Sequence, residues 1–455
     1  MQRTALVVAV LLASSAAVVT STTSCSDDAR ASGSAGLPDG AAGDPPDASA
    51  GPRPLDCAAP LQLDTAFAGG LFSAALTKRE SGSSATLVPA RDGSVLVRTG
   101  SYVQKIGRDG RRDPAFDGDA FFLDPDRAPG SGPMTVTQDR KIVVAFSTAG
   151  GTAFNDRRLA LARLLPDGAI DRSFGEGGVT VLPNIDPTDA STRSITPNQV
   201  EVAPDGNVYV AGYISNHFQD IPARIFVARL TASGALDMTY GEGKGYFYGP
   251  MPLPSKPIGM AVRDDGRLLL GMHGRNAWIG APSVSASILL LFDPAGQPDP
   301  SYGTDGGLAP KELQSGGWVW GVEGNAAVLQ GQSTIRRATA SGELDPSFGA
   351  DGSVRQSITD DAGRSFSLTN AHVRRDGSFL LSGSRSGSSS VEAFPVFARY
   401  GADGQPCGEP VELAGQNRAF ETAVMDEAGA VFAARVRRAD TGEDLGTLEI
   451  VRLVP

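Results

Sequence analysis

The chain has 455 residues, a net charge of -11, 56 glycines and 31 prolines. Gly and Pro together are about one residue in five, against roughly one in eight in average proteins. At 41% hydrophobic the chain is too apolar to be disordered throughout, and its glycines follow no three-residue period, which excludes collagen. Each interior Gly costs a helix about 1 kcal/mol, so the excess excludes a helical bundle and points to many turns joining short strands. The acidic balance argues against a nucleic-acid or anionic-membrane surface.

At the N-terminus Arg3 precedes an apolar run over residues 5–19. One positive charge before a run shorter than the ~20 residues that span a bilayer is the pattern of a secretory signal, here residues 1–24. Cys25 follows it in a context that resembles the lipobox of bacterial lipoproteins. Ser24 suits the position before a lipidated Cys, whereas Thr22 stands where Leu is usual. Lipidation at Cys25 and ordinary cleavage with release are the two readings. Residues 25–60 are Ala, Gly, Ser, Asp and Pro with almost no large apolar side chain, the composition of a flexible tether. The expected folded domain is 61–455.

That domain repeats itself. One phrase is an apolar strand, an Asp-Gly turn and a second apolar strand: VEVAPDGNVYVAG (200–212), MAVRDDGRLLLG (260–271) and AHVRRDGSFLLSG (371–383). Weaker copies begin at residues 87, 135, 321 and 423; those at 135 and 321 lack an intact Asp-Gly. A second phrase alternates with the first: LALARLLPDGAIDRSFGEGGVTV (159–181), IFVARLTASGALDMTYGEG (225–243), LLLFDPAGQPDPSYGTDGG (289–307) and IRRATASGELDPSFGADGSV (335–354). It weakens to QKIGRDGRRDPAFD (104–117) and VFARYGADGQPCG (396–408). Asp-Gly closes tight hairpins because Gly reaches positive φ at little cost. Each unit supplies about four strands, and the SF aromatic is expected to pack between units. Seven units of four strands closed radially make a seven-bladed, all-β propeller.

These phrases in this order resemble the delta-60 repeat, a bacterial β-propeller family, over most of 61–455. The resemblance implies the propeller fold. The family carries no established catalytic residue, so none is transferred.

The final unit stops at TLEIVRLVP (447–455), one strand short, and its missing phrase appears at the other end as LQLDTAFAGGLF (61–72). The N-terminal segment is therefore expected to supply the outer strand of the last blade and cover its edge. Cys57 precedes this segment and Cys407 takes the Asp place of the sixth LDxSFG phrase. In an oxidising compartment the two can pair or remain separate thiols.

Both regular turns fall on one face of such a ring. The long connections fall on the other, predicted at 213–224, 273–287 and 383–393 and at 185–195, 246–256 and 311–317. Binding residues commonly lie on such loops, so this face is the candidate site. Its candidate ligand-binding residues are His217, Tyr246, Tyr248, His273, Trp278 and Trp318, with Phe247 between the tyrosines and Trp320 beside Trp318. An aromatic platform for a sugar or peptide is one reading. Loops folded back onto the blades is the other, and it weighs more. His372 falls in an inner strand as a channel or packing residue.

The three histidines have no zinc spacing, and there is no nucleophile elbow, P-loop or dinucleotide phrase. The D-G-x-x-D pattern at Asp109–Asp113 and Asp167–Asp171 lacks the ligand density of an EF-hand and reads as part of the turn. No catalytic residue, metal or cofactor is assigned. The expectation is a monomeric, lipid-anchored module at the outer membrane or cell surface, or else a secreted or periplasmic one. It would bind a protein or glycan and no nucleic acid. The alternative is a metal- or quinone-dependent hydrolase or oxidoreductase at the central channel.

Overall fold

The computed structural model describes residues 54–455 except 78–79, 81–83, 101, 117–131, 149–157, 184, 186–192, 217–223, 250–255, 276–284, 304–306, 309–317, 324–325, 331–333, 356–365, 387–392, 414–417 and 438–445. Two N-terminal strands come first, β1 (Gln62–Leu63) and β2 (Phe72–Ala75). Blade one is β3 (Ala85–Pro89), β4 (Val95–Thr99) and β5 (Tyr102–Ile106). Blade two is β6 (Met134–Val136), β7 (Ile142–Ser147), β8 (Leu159–Leu164) and β9 (Val179–Val181). Blade three is β10 (Arg193–Val202), β11 (Val208–Asn216), β12 (Arg224–Leu230) and β13 (Tyr246–Gly249). Blade four is β14 (Lys256–Val262), β15 (Leu268–Arg275), β16 (Ser285–Phe292) and β17 (Gly307–Leu308). Blade five is β18 (Trp318–Glu323), β19 (Ala326–Gln330), β20 (Thr334–Ala338) and β21 (Val354–Arg355). Blade six is β22 (Phe366–Val373), β23 (Phe379–Ser386), β24 (Ala393–Tyr400) and β25 (Val411–Glu412). Blade seven is β26 (Thr422–Met425), β27 (Val431–Arg437) and β28 (Thr447–Val454).

Every blade is an antiparallel meander, and together they form a seven-bladed propeller. The ring closes as the split phrase predicts. β2 pairs antiparallel with β28 (Phe72 opposite Ile450, Ala75 opposite Thr447), and β1 pairs with its last residues (Gln62 opposite Val454). Blade seven thus takes its outer edge from the other end of the domain.

Blades bury both faces, so middle strands such as β8 (LALARL), buried at every position but Arg163, run apolar rather than alternating. Apolar layers lie between all successive blades, blade seven packing on blade one through Phe432, Val436, Val95 and Phe67. The hairpins owe their geometry to Gly. Gly206 has φ 85°, its N–H donates to the Ala203 carbonyl, and Asp205 Oδ1 accepts from Asn207 N–H at 2.9 Å. In blade two Arg140 occupies that Gly position and takes φ 63°, so the turn still closes without glycine. Among the described residues no helix is long and apolar enough to cross a membrane.

Candidate functional site

The loop face holds some of the predicted residues and reassigns others. Tyr246, Phe247 and Tyr248 lie in β13, so the connection to blade four starts after Gly249 rather than at Tyr246. Alternation along a strand then divides the trio. Tyr246 and Tyr248 pack half-buried on the layer between blades two and three, with the Arg224 guanidinium 5.3 Å from the Tyr248 ring. Phe247 turns the other way, edge-on to Phe292 at 5.0 Å. The three rings therefore do not share one surface.

His273 belongs to β15, opposite Lys256, and not to the following loop; its side chain lies outside the described ones. Trp318 opens β18 opposite Gln330, and Trp320 follows two residues on, again without described side chains. His217, Trp278 and Cys25 lie outside the described residues. Cys57 and Cys407 form a disulfide, their Cα atoms 4.4 Å apart. His372 joins two inner strands: its Nδ1 accepts the Met425 N–H at 3.2 Å. Desolvation, then the charge of Arg374, pushes its pKa down to about 4, so the ring stays neutral.

The inner strands carry a feature that the repeat did not announce. In blades three to six the register slips by one residue, between Pro197 and Gln199, Pro257 and Gly259, Val319 and Gly321, and Leu368 and Asn370. The extra residues are Asn198, Ile258, Trp320 and Thr369, one per blade at corresponding levels. A bulge bends the strand and re-aims a side chain, and bulges concentrate at barrel rims and active sites. The phrase's terminal glycine makes room for them: a Cβ on Gly212 would collide with the Thr196 carbonyl, and one on Gly383 with that of Ser367. Ser367 and Thr369 are exposed. Asn198 Oδ1 is buried without a partner. The bulges are thus confined to four consecutive blades, and those of blades three and six carry the polar residues Asn198 and Thr369.

The turn face differs. In blades two, three and five the third-strand arginine (Arg163, Arg229, Arg337) pairs with an aspartate eight residues later at 2.7, 2.7 and 2.5 Å. Each guanidinium also donates to a carbonyl of the next blade, at Ala232, Pro294 and Ala402, and lies 4.7–5.1 Å from the ring of Phe174, Tyr240 or Phe348. Those rings are fully buried under the turn glycines Gly234, Gly296 and Gly404 of the following blade, each leaving no room for a Cβ. Burial alone would raise the Asp171 carboxyl, but bonds from Ser173 and Arg163 outweigh it and bring its pKa to about 2. Ser347, then Arg337 against a smaller burial penalty, brings Asp345 to about 2.

Blade four has Leu291 in place of the arginine. There Arg267 reaches Asp299 at 3.4 Å, and Arg263 donates to the Ala340 carbonyl at 3.0 Å over the Tyr302 ring. At the closing seam Arg452 pairs with Asp64 at 3.0 Å, the Phe67–Ala68 backbone leaves no room for a Cβ on Gly110 of blade one, and the buried Phe67 ring packs on Phe432. Asp167 holds its own turn by accepting the Ala169 N–H, so the D-G-x-x-D carboxylates are structural. In blade one, where Lys105 stands in the arginine's place, an open depression of about 520 Å³ is lined by Asp92, Lys105, Arg108, Arg111 and Asp113. Lys105 is paired with Asp92 at 2.6 Å and with Asp113 at 3.7 Å. Among the described residues no group of three or more His, Cys, Asp and Glu is placed to hold a metal ion.

A family described as "Domain of unknown function (DUF5122) beta-propeller" matches residues 137–174 and 203–240, equivalent stretches of blades two and three that each end on the buried aromatic. No curated protein matches the chain. Among solved structures the chain is similar to a glucose dehydrogenase, at 11% identity over 84% of this chain and 99% of that one, with a TM-score of 0.39. It is similar to an α-L-arabinanase of Penicillium chrysogenum complexed with arabinobiose, at 8% identity over 83% and 94% of the two chains, TM-score 0.39. The β-propeller domain of the Trilobed protease of Pyrococcus furiosus is 11% identical over 84% and 93%, TM-score 0.41.

Proposed function

We propose that this protein is an exported, monomeric, lipid-anchored member of the delta-60 repeat propellers. It is a non-enzymatic module that binds a protein or glycan at the cell surface. Residues 1–24 direct export, Cys25 carries the lipid, and 25–60 form the tether, whose last residues, 54–60, dock on blades six and seven of the 61–455 binding domain. The observation that carries this reading is the division of labour between the two faces. On the turn face the repeated Arg, Asp and aromatic side chains hold blade to blade. On the loop face, blades three to six offer bulged inner strands with Asn198, Ser367 and Thr369, a surface built for contact.

Glycan-array and cell-surface pull-down experiments with the purified chain test it. A saturable ligand is expected, and its capture should be lost in Thr369→Trp at unchanged Tm. Turnover by purified protein carrying a stoichiometric metal or chromophore would overturn the binding reading. Cys25→Ser should move the chain from the membrane to the soluble fraction.

A further inference from the structure

The seam between blades six and seven is built differently from the rest. At the regular seams the aspartate's N–H donates to the carbonyl of the arginine eight residues before it, at 2.8 Å for Asp171 and 2.9 Å for Asp237 and Asp345. Cys407 makes the same bond to the Arg399 carbonyl at 2.8 Å, so it holds the aspartate's backbone position with a sulfur in place of the carboxylate. Arg399 keeps the arginine's role without its partner. It is 2% exposed and its Nε has no acceptor. Burying a guanidinium without a carboxylate is costly unless other groups answer it.

The closer of those groups come from the N-terminal segment. The Ala59 carbonyl accepts from Arg399 Nη2 at 2.5 Å, in the role that the next blade's turn fills elsewhere. Leu55 packs on the apolar layer between blades six and seven. Desolvation lowers the Arg399 pKa, and the nearby Asp56 charge opposes that shift. Blade seven contributes only its first turn, whose Gly429 carbonyl accepts from Arg399 Nη1 at 3.5 Å, with Leu55 packed beside that glycine. What fixes this segment in place is the Cys57–Cys407 bond.

We propose that this disulfide replaces the missing Arg–Asp pair and makes closure of the ring depend on oxidation. As the bond forms, the thiols of Cys57 and Cys407 lose two protons and two electrons. The acceptor is the disulfide of a thiol oxidase or of a small molecule such as glutathione disulfide, which is reduced to two thiols. With the thiols reduced, residues 54–60 leave Arg399, and β1 and β2 are held to blade seven by their own pairing, the Asp64–Arg452 pair and the buried Phe67. A reduced chain therefore stays open at this seam, and the ring locks in an oxidising compartment. Only the place of oxidation rests on the export reading; the latch itself does not.

The test uses the full chain with Cys25→Ser, which removes the third thiol. Hydrogen exchange and Tm are measured with and without dithiothreitol. Reduction should lower Tm by about 5–10 °C and speed exchange about 100-fold in 72–75 and 447–454 while blades three and four keep their protection. Cys57→Ser should behave as the reduced protein and ignore reductant. Cys57→Ser with Cys407→Asp restores the regular pair and should recover much of the lost Tm under reducing conditions. An unchanged Tm and unchanged exchange on reduction would overturn the proposal, as would failure of the aspartate to recover stability. If neither variant folds, exchange in the wild-type chain reduced after folding decides by the same criteria. A chain found only in the cytoplasm would overturn the location and leave the latch measurement standing.

Discussion

Blades three to six and blades seven, one and two are built from the same repeat but differ at the axis. The first group has inner strands of six to ten residues, each interrupted by a bulge. The second has inner strands of four, five and three residues in unbroken register. The layers between blades are alike in both groups. The repeat therefore constrains the contacts that every blade shares, while the end of the axis facing the loops is free to diverge. The short-stranded group contains the closing seam, where the N-terminal segment has replaced a turn, an aspartate and an outer strand.

Removing residues 54–75 should break that contrast most severely. Blade seven would lose its outer edge, Phe67 and Asp64 together, and the domain should unfold in one cooperative step, seen as loss of the sheet signal in circular dichroism. A truncated chain with wild-type Tm would show that the seam is dispensable. Next in size, Tyr240→Ala empties a fully buried site under Gly296 and should cost about 4 kcal/mol by urea denaturation. Acid should loosen the latches of blades two and five together. The carboxyls of Asp171 and Asp345 are held at about 2 in the folded state, below their ordinary value. Their stabilisation is complete above about pH 4 and is lost as the pH falls toward 2. Tm followed from pH 6 to 2 should drop in that window, and less steeply in Asp345→Asn. The smallest effect is a gain. Arg140→Gly relieves a positive φ in blade two and should stabilise by about 1 kcal/mol.

The blade count, the strand order and the closure were all legible, because tight hairpins restrict their residues and a split phrase marks a shared blade. Sequence pattern places Tyr246–Gly249 in a loop where the fold has a strand, for a physical reason. A four-residue outer strand half-buried on both faces shows no polar–apolar alternation, and the flanking Gly245 and Pro250 suggest a turn. The bulges at Asn198 and Thr369 left no compositional trace, since a one-residue slip changes register and not residue type. The replacement of the blade-four arginine by Arg263 and Arg267 was equally hidden. It joins residues from a different hairpin, and only the folded chain brings them to Tyr302 and Asp299.

The position of Cys57 also decides how the domain carries force. The paired strands β1 and β2 lie downstream of it in the chain, and the bond to Cys407 ties it to blade six. A pull on any residue ahead of Cys57 passes through the S–S bond into blade six before it can reach those strands. Zipper-like peeling of β1 from β28, the weakest way to load a strand, is bypassed. The domain can hang from its N-terminus under tension that the hydrogen bonds of β1 and β2 do not feel, the load passing instead into blade six.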